Sequence, residues 1–239
     1  MEITKDYDKR SLNALIRKSI LDNWDRMALT DMGGMNYQYK DVALWIEKLH
    51  IIFEEAGVGK GDKVAICGRN SSNWAVVFLS CLTAGVVAVP ILHEFKADTI
   101  HHLVNHCDAK LLFVDAAIWE DLDERLLPGL TGAIYISEFG MPLSRSERLT
   151  KARNNINTLF GKRYPYSFTK ENVDYFHDMP EDLAIINYTS GSTGMSKGVM
   201  LPFLSIWSNI RYCLDNLGFL KPGDGMVNML PLAHLYGMV

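Results

Sequence analysis

The chain reads as an α/β fold with a doubly wound, mostly parallel sheet and helices on both faces. Three observations lead there. Apolar runs of strand length alternate with stretches of helical apolar spacing between residues 63 and 136. The connections between them are short, as expected of successive βαβ units. Turn signals punctuate the alternation, at Gly59-Lys60-Gly61-Asp62 and at Pro128-Gly129.

Taken in order, residues 11–22 carry Leu12, Leu15, Ile16 and Ile20 at helical spacing, with Ser11 as the cap. Ala28-Leu29-Thr30, the Gly33-Gly34 turn and Tyr37-Gln38-Tyr39 predict a hairpin. Val42, Trp45, Ile46, Leu49, Ile52, Phe53 and Ala56 form one helical stripe, ended by Gly57. A strand at 63–67 follows, then an apolar helix over 73–83. Next come a strand at 86–89 stopped by Pro90, a helix at 96–107, a strand at 111–114, a helix near 117–127 and a strand at 133–136. Later, a helix is expected over 202–217. The turn Lys221-Pro222-Gly223-Asp224, which echoes Lys60-Gly61-Asp62, introduces a strand at Met226–Leu230.

The stretch 141–180 breaks the alternation. Basic residues (Arg145, Arg148, Lys151, Arg153, Lys162, Arg163, Lys170) outnumber acidic ones there, and its middle suits a basic helix. It reads as a solvated connecting segment rather than a membrane-surface or anion contact. The organisation expected is an α/β subdomain over 1–140, this connector over 141–180, and the start of a loop-bearing portion of the same large domain over 181–239.

The 239 residues are 48% hydrophobic and 22% charged, an ordinary globular balance, and a net charge of −4 gives no basis for nucleic-acid binding. Cys67, Cys81, Cys107 and Cys213 are widely spaced within apolar runs, which indicates reduced core thiols of a cytoplasmic protein. There is no h-region and no apolar run of transmembrane length. The N-x-[ST] sequons at Asn70 and Asn187 are therefore read as accidental.

The chemistry centres on Tyr188-Thr189-Ser190-Gly191-Ser192-Thr193-Gly194-Met195-Ser196-Lys197-Gly198, set between two apolar runs. Glycines let backbone N–H groups turn inward as an anion nest, the hydroxyls add donors, and Lys197 adds a point charge. A Walker loop is not present, because Ser196 stands where its second glycine belongs and Gly198 where its Ser/Thr belongs. Composition leaves two readings: a cradle for a polyphosphate, or a Ser/Gly-rich turn joining two strands.

Two histidine settings carry weaker signals. Asp98, His102 and His106 share one helical face, but Ile100, Leu103, Val104 and Cys107 form the opposing stripe and no fourth ligand is evident. His101, His102 and His106 are thus read as a solvated polar face. His234, within Pro231-Leu232-Ala233-His234-Leu235-Tyr236-Gly237, is on spacing alone a structural histidine.

The loop resembles the signature of the adenylate-forming superfamily, which includes acyl-CoA synthetases, luciferases and amino-acid adenylation domains. Its usual form is [YF]-T-S-G-[ST]-T-G-x-P-K-G, and this chain departs from it only at Ser196, which replaces proline. Gly57–Val64 and Ala84–Pro90 resemble earlier segments of the same superfamily, in the same order. P-L-A-H-x-[YF]-G resembles a second substrate-site motif, in wording most like long-chain fatty-acid members.

The resemblance implies an N-terminal portion of an adenylate-forming ligase, with the C-terminal domain absent. It implies an AMP-forming acid–thiol ligase of fatty-acid metabolism that uses ATP, Mg²⁺ and coenzyme A on a carboxylic acid. Thr189, Ser190, Gly191, Ser192, Thr193, Gly194 and Lys197 would hold the β- and γ-phosphates, and Thr189 would help hold Mg²⁺. Lys197 and His234 are the candidate catalytic residues, with His234 bordering the acyl channel. A fragment of this extent is expected to be inactive alone, and its parent to be cytoplasmic with a possible peripheral membrane contact. An aryl-CoA or other acid–CoA ligase, or an amino-acid adenylation domain, is the alternative within the superfamily. A non-catalytic nucleotide- or acyl-binding module is the alternative of another class.

Overall fold

A computed structural model describes residues 10–189, 196–218, 221 and 223–234. The described residues begin with α1 (Leu12–Asp22), a hairpin of β1 (Met27–Thr30) and β2 (Asn36–Gln38), and the long α2 (Tyr39–Ala56). β3 (Lys63–Cys67), α3 (Ser72–Thr83), β4 (Val87–Ile91), α4 (Ala97–His106), β5 (Ala109–Val114), the one-turn α5 (Ala116–Trp119) and β6 (Gly132–Tyr135) follow. Then come β7 (Leu143–Ser144), α6 (Glu147–Asn154), α7 (Ile156–Arg163), β8 (Leu183–Thr189), β9 (Lys197–Pro202) and α8 (Phe203–Asn216).

Seven strands form one sheet in the order β7-β6-β5-β3-β4-β8-β9. The five inner strands run parallel, and β7 and β9 close the two edges antiparallel. Period-two alternation sends neighbouring residues to opposite faces. Val64 and Ile66 pack under α2 and α3 in one buried cluster. Ala65 and Cys67 pack with Ile100, Leu103 and Val104 of α4 in a second cluster. The sheet is therefore covered on both sides, as the alternating pattern predicts.

The expected α2 stripe is the main apolar contribution from one helix: Val42, Ile46, Leu49, Ile52, Phe53 and Ala56 are all buried. Gly57 ends the helix with φ +69°, a left-handed cap that needs no Cβ. The N-terminus of α1 is fixed from far along the chain. Ser11 caps it locally, and buried Asp178 accepts from Ser11 Oγ at 2.6 Å and from the N–H groups of Leu12 and Asn13 at 2.9 and 3.0 Å.

The turn echo noted in the sequence has a structural counterpart. Gly59 N–H donates to Asp62 Oδ2 at 2.9 Å and Asp62 N–H donates to the Gly59 carbonyl at 3.0 Å. The same pair of bonds links Lys221 and Asp224, at 2.8 and 3.0 Å. Gly61 and Gly223 occupy the positive-φ position in each turn.

Four expectations are corrected. Pro90 does not stop its strand: it lies inside β4, in register with Ile66, one residue from the strand end, where a missing donor interrupts little of the ladder. The helix near 117–127 is only α5, followed by a 3-10 turn at Glu124–Leu126. Asp123 accepts the Arg125 N–H and caps that turn instead of extending α5. The basic helix is two short ones: α6 buries Leu149 and Ala152 in the cluster that includes α2 and pairs Arg148 with Glu55, and α7 pairs Arg163 with Glu54. Residues Met226–Leu230 form no strand: they find no partner in the sheet, and Met226, Val227 and Met229 are exposed.

All four cysteines are free thiols, with Cys67, Cys81 and Cys107 buried. Burial pushes the Cys67 and Cys107 thiols up to about 12 and about 11. No helix among the described residues is long and apolar enough to cross a membrane.

Candidate functional site

β8 and β9 form an antiparallel hairpin that brings Thr189 opposite Lys197. Both side chains are exposed at its tip, at the carboxyl end of the parallel strands, where open α/β sheets bind ligands. The connecting residues Ser190, Gly191, Ser192, Thr193 and Gly194 lie outside the described residues. The two ends of the predicted cradle are thus brought together, a hydroxyl facing an ammonium across the ladder.

Tyr188, just inside the tip, is buried on the α4 side. Its hydroxyl lies 2.7 Å from His106 Nδ1, and the two rings meet edge to face at 5.7 Å. Burial, together with the nearby Cys107 and Asp108, raises the Tyr188 hydroxyl to about 12. Gly198 is registered across from Tyr188. A Cβ there would come 2.9 Å from Ile186 Cγ2 and 3.2 Å from the Tyr188 ring. The glycine that closes the motif is therefore required by packing beneath the loop.

The solvated-face reading of the α4 histidines holds for His102 and His106, which are exposed, and is corrected at His101. His101 is buried and its Nε2 accepts the Asp123 N–H at 3.0 Å, while His106 holds Tyr188. Among the described residues no group of three His, Cys, Asp or Glu side chains could hold a metal ion. Thr189 offers one hydroxyl oxygen. A Mg²⁺ ion fits beside it only when phosphate oxygens and waters complete an octahedron, the usual way this ion meets nucleotide sites.

Asn187 points to the face opposite Tyr188, and its Nδ2 donates to the Ala233 carbonyl at 3.0 Å. Asn70, just past the carboxyl end of β3, donates from Nδ2 to the Leu230 carbonyl at 2.6 Å and accepts the Leu232 N–H at 2.7 Å. The turn Pro231–His234 is closed by the His234 N–H donating to the Pro231 carbonyl at 2.9 Å. His234 itself is exposed. The structure thereby ties the His234 segment to the hairpin that carries Thr189 and Lys197. Both sequon asparagines are structural ties, which the sequon reading missed. A polar residue inside the apolar run Ala184-Ile185-Ile186-Asn187 was the available signal for one of them.

The chain is an open, mostly parallel α/β sheet with a Ser/Thr/Gly-rich stretch between β8 and β9, and comparison with known proteins assigns the family. Residues 17–239 match the AMP-binding enzyme family, and the chain belongs to it. It is 28% identical over 209 residues to long chain acyl-CoA synthetase 3 of Arabidopsis thaliana, covering 84% of this chain and 31% of that protein. It is 26% identical over 238 residues to probable 4-coumarate–CoA ligase 1 of Dictyostelium discoideum, covering 94% of this chain and 42% of that protein. The structure of ATP-bound MatB from Rhodopseudomonas palustris superposes with a TM-score of 0.72 at 21% identity, over 93% of this chain and 41% of that one. The chain thus spans well under half the length of each of these proteins.

Proposed function

We propose that the protein containing these residues activates a carboxylic acid with ATP and transfers the acyl group to coenzyme A. The observation that carries this reading is the pairing of Thr189 with Lys197 at the tip of the hairpin to which the His234 turn is tied. In the first half-reaction a carboxylate oxygen forms a bond to the α-phosphorus of ATP while the bond to pyrophosphate breaks. The product is an acyl-adenylate. In the second, the thiol sulfur bonds to the acyl carbon, AMP leaves, and the thiol proton passes to solvent.

Little covalent chemistry falls to the protein in such a displacement, so positioning and charge neutralisation carry it. Lys197 would place its ammonium against the β- and γ-phosphates, and N–H and hydroxyl donors of Ser190, Gly191, Ser192, Thr193 and Gly194 would add to it. Thr189 would help hold Mg²⁺, and the ion would supply neutralisation of phosphate charge. His234 borders the acyl chain.

A long-chain fatty acid is the substrate favoured, supported by the Arabidopsis relative and by the run Leu232-Ala233-His234-Leu235-Tyr236-Gly237. The test is AMP release by the full-length protein with fatty, aryl and amino acids, each with and without coenzyme A. Release that requires a fatty acid and coenzyme A is expected. Release with aryl or amino acids alone would replace the substrate assignment, and no acid-dependent release would overturn the reading.

A further inference from the structure

We propose that Asn70 and Asn187 are positioning residues for the acid substrate, acting by clamping the turn that carries His234. The inference rests on the assignment of that turn to the acid site.

The segment before the turn runs over the surface. Met226, Val227 and Met229 are 80%, 81% and 86% exposed, and the stretch forms neither helix nor strand. At Leu230–Ala233 the chain meets two side-chain amides. Asn70 binds the Leu230 carbonyl and the Leu232 N–H together, satisfying a donor and an acceptor two residues apart as a neighbouring strand would. Asn187 binds the Ala233 carbonyl, and Ala233 is buried. Asn70 follows the carboxyl end of β3 and Asn187 lies within β8, and these two strands flank β4. The segment is thus tied at two points, one just beyond β3 and one on β8, with His234 as the next residue.

Aspartate cannot replace these amides, because each must donate to a backbone carbonyl. Neither asparagine supports the tip of the hairpin. Thr189 and Lys197 are held by the β8–β9 ladder itself. Losing the clamp should therefore disturb the acid site and leave nucleotide binding in place.

The test uses the full-length protein and its Asn70→Ala variant, chosen because Asn70 is exposed and outside any regular element. KM is measured separately for a long-chain fatty acid and for ATP, with hydrogen exchange of the Leu232 amide and the melting temperature. The expected result is a KM for the acid raised about tenfold, from two lost hydrogen bonds, and an ATP KM within about twofold. Leu232 exchange should be at least about tenfold faster, with the melting point within about 3 °C of the parent. Asn187→Ala should give the same split, and should it fail to fold, Asn70→Ala decides alone. Equal changes in both KM values, unchanged acid KM, or unchanged Leu232 exchange would overturn the clamp. A parent protein with no acid-dependent turnover would instead sink the acid-site reading, and the substrate role of the clamp with it.

Discussion

Gly198 lies directly against Tyr188, so close that a Cβ would stand 3.2 Å from the ring and 2.9 Å from Ile186. Tyr188 is held on another side by His106. The base of the loop is therefore a packed layer of His106, Tyr188 and Gly198. Gly198 is not among the glycines with positive φ, so its role is one of space and not of backbone conformation. Gly198→Ala should destabilise the fold by about 1–3 kcal/mol through overpacking, lowering the melting temperature by several degrees. A variant as stable as the parent would show that Tyr188 can move aside.

Lys197 is exposed and its removal leaves no cavity. Lys197→Ala should therefore leave the melting temperature of the full-length protein within about 1 °C. Its kcat/KM for ATP should fall at least about tenfold, the cost of one charge-assisted phosphate contact. Unchanged adenylation kinetics would remove Lys197 from the mechanism.

Asp178 joins two parts of the chain that sequence separation keeps far apart. It is 2% exposed and accepts three hydrogen bonds from the start of α1. Asp178→Ala would strand the Ser11 hydroxyl and two helix-terminal N–H groups in the interior. The expected loss is about 3 kcal/mol, measurable as a lower urea midpoint. Asp178→Asn retains one accepting oxygen and should fall between the two. An unaltered midpoint in the alanine variant would show that water replaces the carboxylate.

His50 predicts an acid limb of stability. Its Nε2 lies 3.1 Å from the Ser80 carbonyl, which can only accept, so this nitrogen carries the hydrogen. Burial lowers its pKa to about 4. The unfolded chain, titrating near 6.5, binds more protons than the folded one between these values, so stability falls as pH drops from about 6.5 to about 4. The full effect is on the order of 3 kcal/mol. Glu47 opposes it. Burial is the chief cause that raises its carboxyl, despite the Tyr164 hydroxyl that donates to it at 2.7 Å, so Glu47 favours the folded state at low pH. Urea titrations at pH 4.5 and 7 should show the parent losing more stability on acidification than His50→Gln. Parallel losses would assign the acid limb to other groups.

The alternation of strands and helices was legible because apolar periodicity is local. The α2 stripe, the β1–β2 hairpin and the inner strands β3 to β6 are each written within about twenty residues, and the fold assembled from them follows. The loop between β8 and β9 was legible for the same reason. Its glycines, hydroxyls and lysine are contiguous, so their chemistry could be read before their geometry. Boundaries were less legible: α5 stops after one turn because Asp123 caps a competing turn, a balance of small terms that periodicity does not register.

By itself, then, the sequence determined the layered α/β architecture and the hydroxyl-rich loop, since both depend on residues close together in the chain. Tertiary structure decided the rest. Met226–Leu230 has strand composition but pairs with no neighbouring strand, and a strand exists only through its ladder. Asn70 and Asn187 read as incidental sequons until their amides met the backbone at 230–233, as many as 162 residues away. A side-chain hydrogen bond depends on where two atoms arrive, which the order of residues along the chain does not record.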